Sequence, residues 1–174
     1  MSSTGWSLAD SSIGGTGLYL WYKIAGSSES STVTIAPSVA ASAELVVMQF
    51  TGNATSGVLD QTAHASGGAT TGTTAATAQN DELAVAAVGM TAVGGTISAT
   101  WTNGFTANPA TTVAAVGTNG TGIHVALRSL TSTGTVTSTA TPSEGSAVGG
   151  LVATFKASSS GVTYTKTGIA LVGP

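Results

Sequence analysis

The stretch TGLYLWYK, residues Thr16–Lys23, alternates like a β-strand but carries an unusual second face. Leu18, Leu20 and Tyr22 point one way, and Tyr19, Trp21 and Lys23 the other. A chain with three Trp and only 6% charged residues thus sets Tyr beside Trp where a strand ordinarily meets water. A second copy of the strand indicates which face is inner. Residues 16–50 can be laid on residues 121–155 without a gap, at a constant offset of 105. Thr16-Gly17 falls on Thr121-Gly122, Lys23 on Arg128, Pro37-Ser38 on Pro142-Ser143, Val47 on Val152 and Phe50 on Phe155. Thr and Ser matches come cheaply in so simple a sequence, so the shared Pro-Ser step and the aligned strand ends carry the repeat. In the second copy, TGIHVALR, the residues Ile123, Val125 and Leu127 stand for Leu18, Leu20 and Tyr22. That common apolar face is expected to look into the core. His124, Ala126 and Arg128 stand for Tyr19, Trp21 and Lys23, so the aromatic face is expected to be the outer one. The same logic turns Val46, Met48 and Phe50 inward with Leu151, Ala153 and Phe155, and leaves Gln49 and Thr154 outward.

Helical periodicity is nearly absent from the rest of the chain. Short β-branched runs separated by Gly, Ser, Thr, Asn and Pro predict strands near 17–24, 31–36, 44–51, 57–65, 82–90, 96–102, 110–116, 121–129, 134–141, 147–156 and 162–166. The fold class is all-β: a single antiparallel β-sandwich, jelly-roll-like, built from two related halves over residues 1–157. Residues 158–174 form a C-terminal extension or arm with a strand of its own. The longest apolar run, Leu83–Met90 (LAVAAVGM), fits a buried strand. The simple stretch 66–80 (SGGATTGTTAATAQN) reads either as a mid-chain connection or as a plain edge strand.

Composition removes several function classes. Four basic residues against seven acidic ones give a net charge of -3. Nucleic-acid binding draws on clustered cations, and an anionic membrane surface asks for the same, so neither partner is expected. There is no Cys, hence no disulfide and no thiolate chemistry. The N-terminal MSSTGWSLAD has neither the basic start nor the apolar core of a signal peptide.

No constellation of catalytic residues stands out. Nothing in the spacing of the carboxylates favours a glycosidase-like pair. Asp81-Glu82 follows Asn80 and reads as a turn, and Glu29 in GSSES reads as a loop carboxylate that accepts backbone hydrogen bonds. His64 and His124 are expected to be surface strand residues without metal-ligand spacing. There is no G-x-S-x-G elbow and no Asp-x-Asp-x-Asp calcium run. The Gly-rich GGTG and GTNGTG precede strands, so they are turns and not phosphate cradles. No catalytic residue, metal or cofactor is expected. The outward Tyr19–Trp21 pair keeps three readings open: cover by the same chain, a subunit contact, or a platform for sugar rings.

Several segments resemble a β-sandwich module of tailed-bacteriophage virion structural proteins. They are Gly5-Trp6, Tyr22-Lys23 with Glu29, Phe50-Thr51-Gly52, and Asp81-Glu82-Leu83, within a span of about residues 5–157. The resemblance implies a non-enzymatic role on the virion surface, after assembly in the host cytoplasm. Capsid decoration or cement is the leading form, and a tail or fibre subunit or a carbohydrate-binding module the alternative. Expected partners are the major capsid or tail protein and further copies of the chain in a homo-oligomer such as a trimer; surface glycans are the partner if Tyr19 and Trp21 form a sugar platform. The family's modules carry a strand ahead of the Gly-Trp turn, whereas here the chain starts almost at that turn. The tail ASSSGVTYTKTGIALVGP contributes an alternating strand instead. It is expected to pair with an exposed edge, its own or a neighbour's. Tyr19, Trp21, Lys23, Val162, Tyr164 and Thr165 are therefore the candidate contact residues.

Overall fold

The computed structural model describes residues 5–14, 16–30, 32–34, 44–92, 97–108, 120–158 and 167–171. Its strands are β1 (Ser7–Gly14), β2 (Thr16–Tyr22), β3 (Leu45–Gln49), β4 (Leu59–Ser66), β5 (Thr70–Thr73), β6 (Glu82–Ala92), β7 (Ala99–Trp101), β8 (Thr106–Ala107), β9 (Gly120–Leu130), β10 (Thr137–Pro142), β11 (Ser146–Phe155) and β12 (Thr167–Leu171). The described residues contain no helix. The expected strands at 110–116 and 162–166, and with them Val162, Tyr164 and Thr165, lie outside the described residues. Of the strand expected at 31–36, residues 32–34 are described and are not β.

The spine is a five-stranded antiparallel sheet in the order β4-β11-β6-β9-β8. Its middle strand β6 is buried along its whole apolar run, Leu83 to Met90. Odd and even residues of that run enter different cores. Leu83, Val85 and Ala87 join Val125, Leu127, Leu151 and Phe155 in one core. Ala84 and Ala86 join Val136, Val152 and Phe105 in another, which Val88, Met90, Ile97 and Ala140 continue. An antiparallel sheet with one wet face alternates apolar and polar residues; one covered on both faces reads as a continuous apolar strand.

The first core is closed by the ribbon β1-β2 and by β3. Leu20, Tyr22, Val46, Met48 and Phe50 pack on it, and the Tyr22 ring meets Phe155 edge-on at 5.8 Å. The two halves of the repeat thus face each other across one core, with the inward residues that the alignment assigns. β12 pairs antiparallel with β3, Ile169 opposite Val47.

The second core is closed by a smaller sheet in the order β5-β10-β7. Here the expectation of an outer face fails. His124 is only 3% exposed and Ala126 and Thr154 are fully buried; Ala126 packs in the second core with Phe105 and Val136. Thr154 is not outward; its hydroxyl accepts the Gln61 N–H at 3.1 Å. The Thr-rich stretch 66–80 supplies β5 at the edge of the covering layer. Its buried residues Thr71, Thr74 and Thr77 recur every third position, and their hydroxyls accept the N–H groups of Ser138, Val136 and Gly134 at 3.0, 2.9 and 3.2 Å. A segment too poor in apolar residues to dock by hydrophobicity is fastened by side-chain hydrogen bonds.

Both covering layers come close to β11, at adjacent glycines. A Cβ on Gly149 would lie 2.7 Å from the Ser12 hydroxyl of β1, and one on Gly150 would lie 2.5 Å from the Thr70 carbonyl of β5.

Candidate functional site

The β1-β2 ribbon is the place where apolar surface meets water. Its register sets Leu8 opposite Trp21, Ser11 opposite Tyr19 and Ile13 opposite Gly17, and these pairs share the outer face. The inner face is fixed by contacts to the spine. The buried Ser12 hydroxyl donates to the Ala65 carbonyl at 2.8 Å, and Leu18 is in the core. Asp10 lies 3.0 Å from His64 Nδ1, so His64 is exposed as expected but has a carboxylate partner. On the outer face Ile13 is 72% and Leu8 45% exposed, and Ile24 stands exposed just past β2. Among the described residues these three are the exposed large apolar side chains, and all lie on or beside this ribbon. Tyr19 and Trp21 are half-buried between them. The Tyr19 ring lies across Gly17, where a Cβ would sit 2.9 Å from Cε2. The Trp21 indole N–H is buried and has no acceptor among the described residues.

The repeat gives this face its meaning. In the second copy the corresponding residues of β9, His124 and Ala126, are buried, Ala126 against Phe105 and Val136. In the first copy it is loaded with aromatics and left with exposed aliphatics. Lys23 stands apart from the patch: its ammonium pairs with Glu29 at 2.6 Å. The Gly26 N–H, at 2.7 Å, and then Lys23 hold the Glu29 carboxyl below its ordinary pKa. Glu29 is thus the loop carboxylate that the sequence predicts.

Titratable chemistry gathers elsewhere, where the sequence shows no spacing for it. Leu59 and Leu83 both sit opposite Phe155, which brings their neighbours Asp60 and Glu82 together at the end of β11. Glu82 is fully buried at the start of β6 and not in a turn; Asp81 before it takes the left-handed turn conformation (φ 58°). Among the described residues neither Glu82 oxygen has a hydrogen-bond partner of good geometry. Asp60 pairs with Lys156 at 3.2 Å and accepts the Ala78 N–H at 2.7 Å. Burial raises the Asp60 carboxyl, but the Ala78 N–H and Lys156 outweigh it and bring the pKa below the ordinary value. Burial raises Glu82; the Thr154 hydroxyl opposes this in part, and the Asp60 charge pushes it higher. Glu82 therefore keeps its proton to higher pH than a free carboxyl. The Glu82 carboxyl has no exposed surface. Among the described residues no group of His, Asp and Glu is placed to hold a metal ion.

This arrangement has a pH signature. A carboxyl with a raised folded-state pKa contributes fully below the unfolded value of 4.5 and loses stability as pH rises through the folded value. Glu82→Gln does not titrate and keeps a donor toward Asp60. Its stability relative to the native chain is expected to grow as pH rises from 4.5 to 8. For a chain of this size roughly 1 kcal/mol moves Tm by about 2–4 °C. Thermal unfolding at pH 4.5 and 8 checks it, and a gap that narrows with rising pH contradicts it.

No family model, no curated protein and no solved structure matches the chain.

Proposed function

We infer that the chain is a non-enzymatic structural protein of a phage particle, seated on the virion surface as a capsid decoration or cement protein. The observation that carries this reading is the outer face of β1-β2. Among the described residues, this ribbon and the adjoining Ile24 carry the exposed large apolar side chains of a weakly charged protein, at the position where the repeat's other copy is buried. Apolar patches of this kind are how folded chains bind partners, and half-buried aromatics supply area at little entropic cost. The sequence resemblance to phage virion modules supplies the class of partner, a major capsid protein or further copies of this chain. A tail or fibre location uses the same surface in the same way.

The test is co-sedimentation of the full chain with capsids stripped of their surface proteins, native against Ile13→Asp. Ile13 is so exposed that the change is expected to alter stability by no more than about 0.5 kcal/mol. A charge buried at the contact is expected to weaken binding about tenfold or more, or 1.4 kcal/mol. Equal binding by both chains contradicts a contact through the ribbon. Failure of the native chain to bind particles contradicts the capsid reading, and leaves glycan binding by Tyr19 and Trp21 as the alternative to measure.

A further inference from the structure

A second surface feature lies on a different part of the molecule, between the β7–β8 turn and the ends of β9 and β10. Thr102, Asn103, Gly104 and Phe105 form a tight turn in which Asn103 (φ 56°) and Gly104 (φ 73°) are both left-handed and the Phe105 N–H bonds the Thr102 carbonyl at 3.3 Å. This is the type I′ geometry that Asn-Gly favours. The turn is held from both sides: Phe105 is buried beside Trp101, and the Ser138 hydroxyl donates to the Thr102 carbonyl at 3.0 Å. Beneath it is an open depression of about 370 Å³ lined by Asn103, Gly104, Arg128, Thr135 and Thr137.

The charge inside it is unusual for this chain. Lys23 is paired with Glu29 and Lys156 with Asp60. Arg128, among the described residues, forms no ion pair. Gly104 leaves it open: even a Cβ there would stand 3.7 Å from the Arg128 Nε. A guanidinium is a planar fork of donors matched to a carboxylate. The rest of the lining is neutral and hydrogen-bonding. Asn103 Nδ2 is committed to the Thr137 carbonyl at 3.0 Å, which leaves its Oδ1 as an acceptor, and two threonine hydroxyls both donate and accept. Among the described residues no aromatic or aliphatic side chain lines the depression. Such a lining suits a small, polyhydroxylated acid and not a lipid or an apolar ligand.

We propose that this depression binds one carboxylate-bearing sugar residue, of the hexuronate class, with its carboxylate on Arg128 and its hydroxyls on Asn103, Thr135 and Thr137. The site is separate from the β1-β2 ribbon and does not depend on how that ribbon is used. The test is titration of the full ¹⁵N-labelled chain with D-glucuronate, D-glucose and acetate, followed by amide chemical shifts. Saturable shifts confined to Asn103, Gly104, Arg128, Thr135, Thr137 and their neighbours are expected with glucuronate. Glucose and acetate are each expected to bind about tenfold more weakly or worse. Arg128→Gln is expected to remove the response, and Thr135→Val to weaken it several-fold, with both spectra otherwise those of the folded chain. Acetate matching glucuronate overturns the sugar part of the proposal. Glucose matching glucuronate overturns the role of Arg128. Absence of saturable shifts at these amides at tens of millimolar overturns the site.

Discussion

Gly150→Val is expected to abolish the folded state, and Gly150→Ala to cost about 2–4 kcal/mol, above the usual range for one added carbon in a packed core because backbone must move. Gly150 sits on β11 between Ala65 of β4 and Val88 of β6. A Cβ there would meet the Thr70 carbonyl at 2.5 Å and Val88 Cγ1 at 3.1 Å. The Thr70 carbonyl has no room to retreat. β5 is tied to β10 by the Thr70–Thr139 pairing, by the Ala140 N–H bonded to the Ala69 carbonyl at 2.9 Å, and by the Thr71 hydroxyl on the Ser138 N–H. Relief of the clash therefore requires the small sheet to lift from the spine and open the core beneath it. Total stabilities of roughly 5–15 kcal/mol leave little margin for that. Gly26→Ala is the control: it is exposed, with a Cβ at an ordinary 3.6 Å from Glu29 Oε1, and is expected to change stability by about 0.5 kcal/mol at most. Urea unfolding of the three variants separates these outcomes. A Gly150→Ala chain as stable as the native one contradicts the close approach of β5.

The second large effect comes from two neighbours that point opposite ways. Leu151 and Val152 are both fully buried, Leu151 in the core under β2 and Val152 in the core under β10. Leu151→Ala is expected to cost about 2–5 kcal/mol. Val152→Ala is expected to cost roughly 1.5–3 kcal/mol. In an ordinary sandwich with one wet face, one of two adjacent strand residues is exposed and its truncation is nearly silent. Two substantial losses at consecutive positions are the signature of a sheet covered on both sides, and a silent Val152→Ala contradicts it.

The first core was legible because alternation survives in the strands that build it. The inward residues of β2, β3, β9 and β11 follow from the repeat and meet in one core. The second covering layer was legible only in part. The unbroken run Leu83–Met90 marks a buried strand, but whether one face or both are covered depends on what packs beside it. Gly149-Gly150 in the middle of β11 was the sharper signal, since adjacent glycines in a strand allow backbone to approach from both sides. The analogy with Tyr19 and Gln49 alone sends His124 and Thr154 to water, because it takes no account of those glycines. β1 escaped notice because a bulge at Ala9 breaks its alternation: Leu8 faces out, while Ala9 packs inward and Asp10 turns toward His64. Asn103-Gly104 is a strong turn signal in its own right. The Asp60–Glu82 pair was invisible for a different reason. Those residues are 22 positions apart, and only the registers of β4 and β6 on β11 bring them together.

The central functional claim is that the outer face of β1-β2 is the contact surface. Carbene footprinting of the full chain, free and bound to stripped capsids, reads that directly at Leu8, Ile13, Tyr19 and Trp21. The account predicts strong labelling of these residues in the free chain and a several-fold loss on binding, with labelling around Thr135 unchanged. Labelling of the ribbon that stays the same while protection appears elsewhere would contradict it.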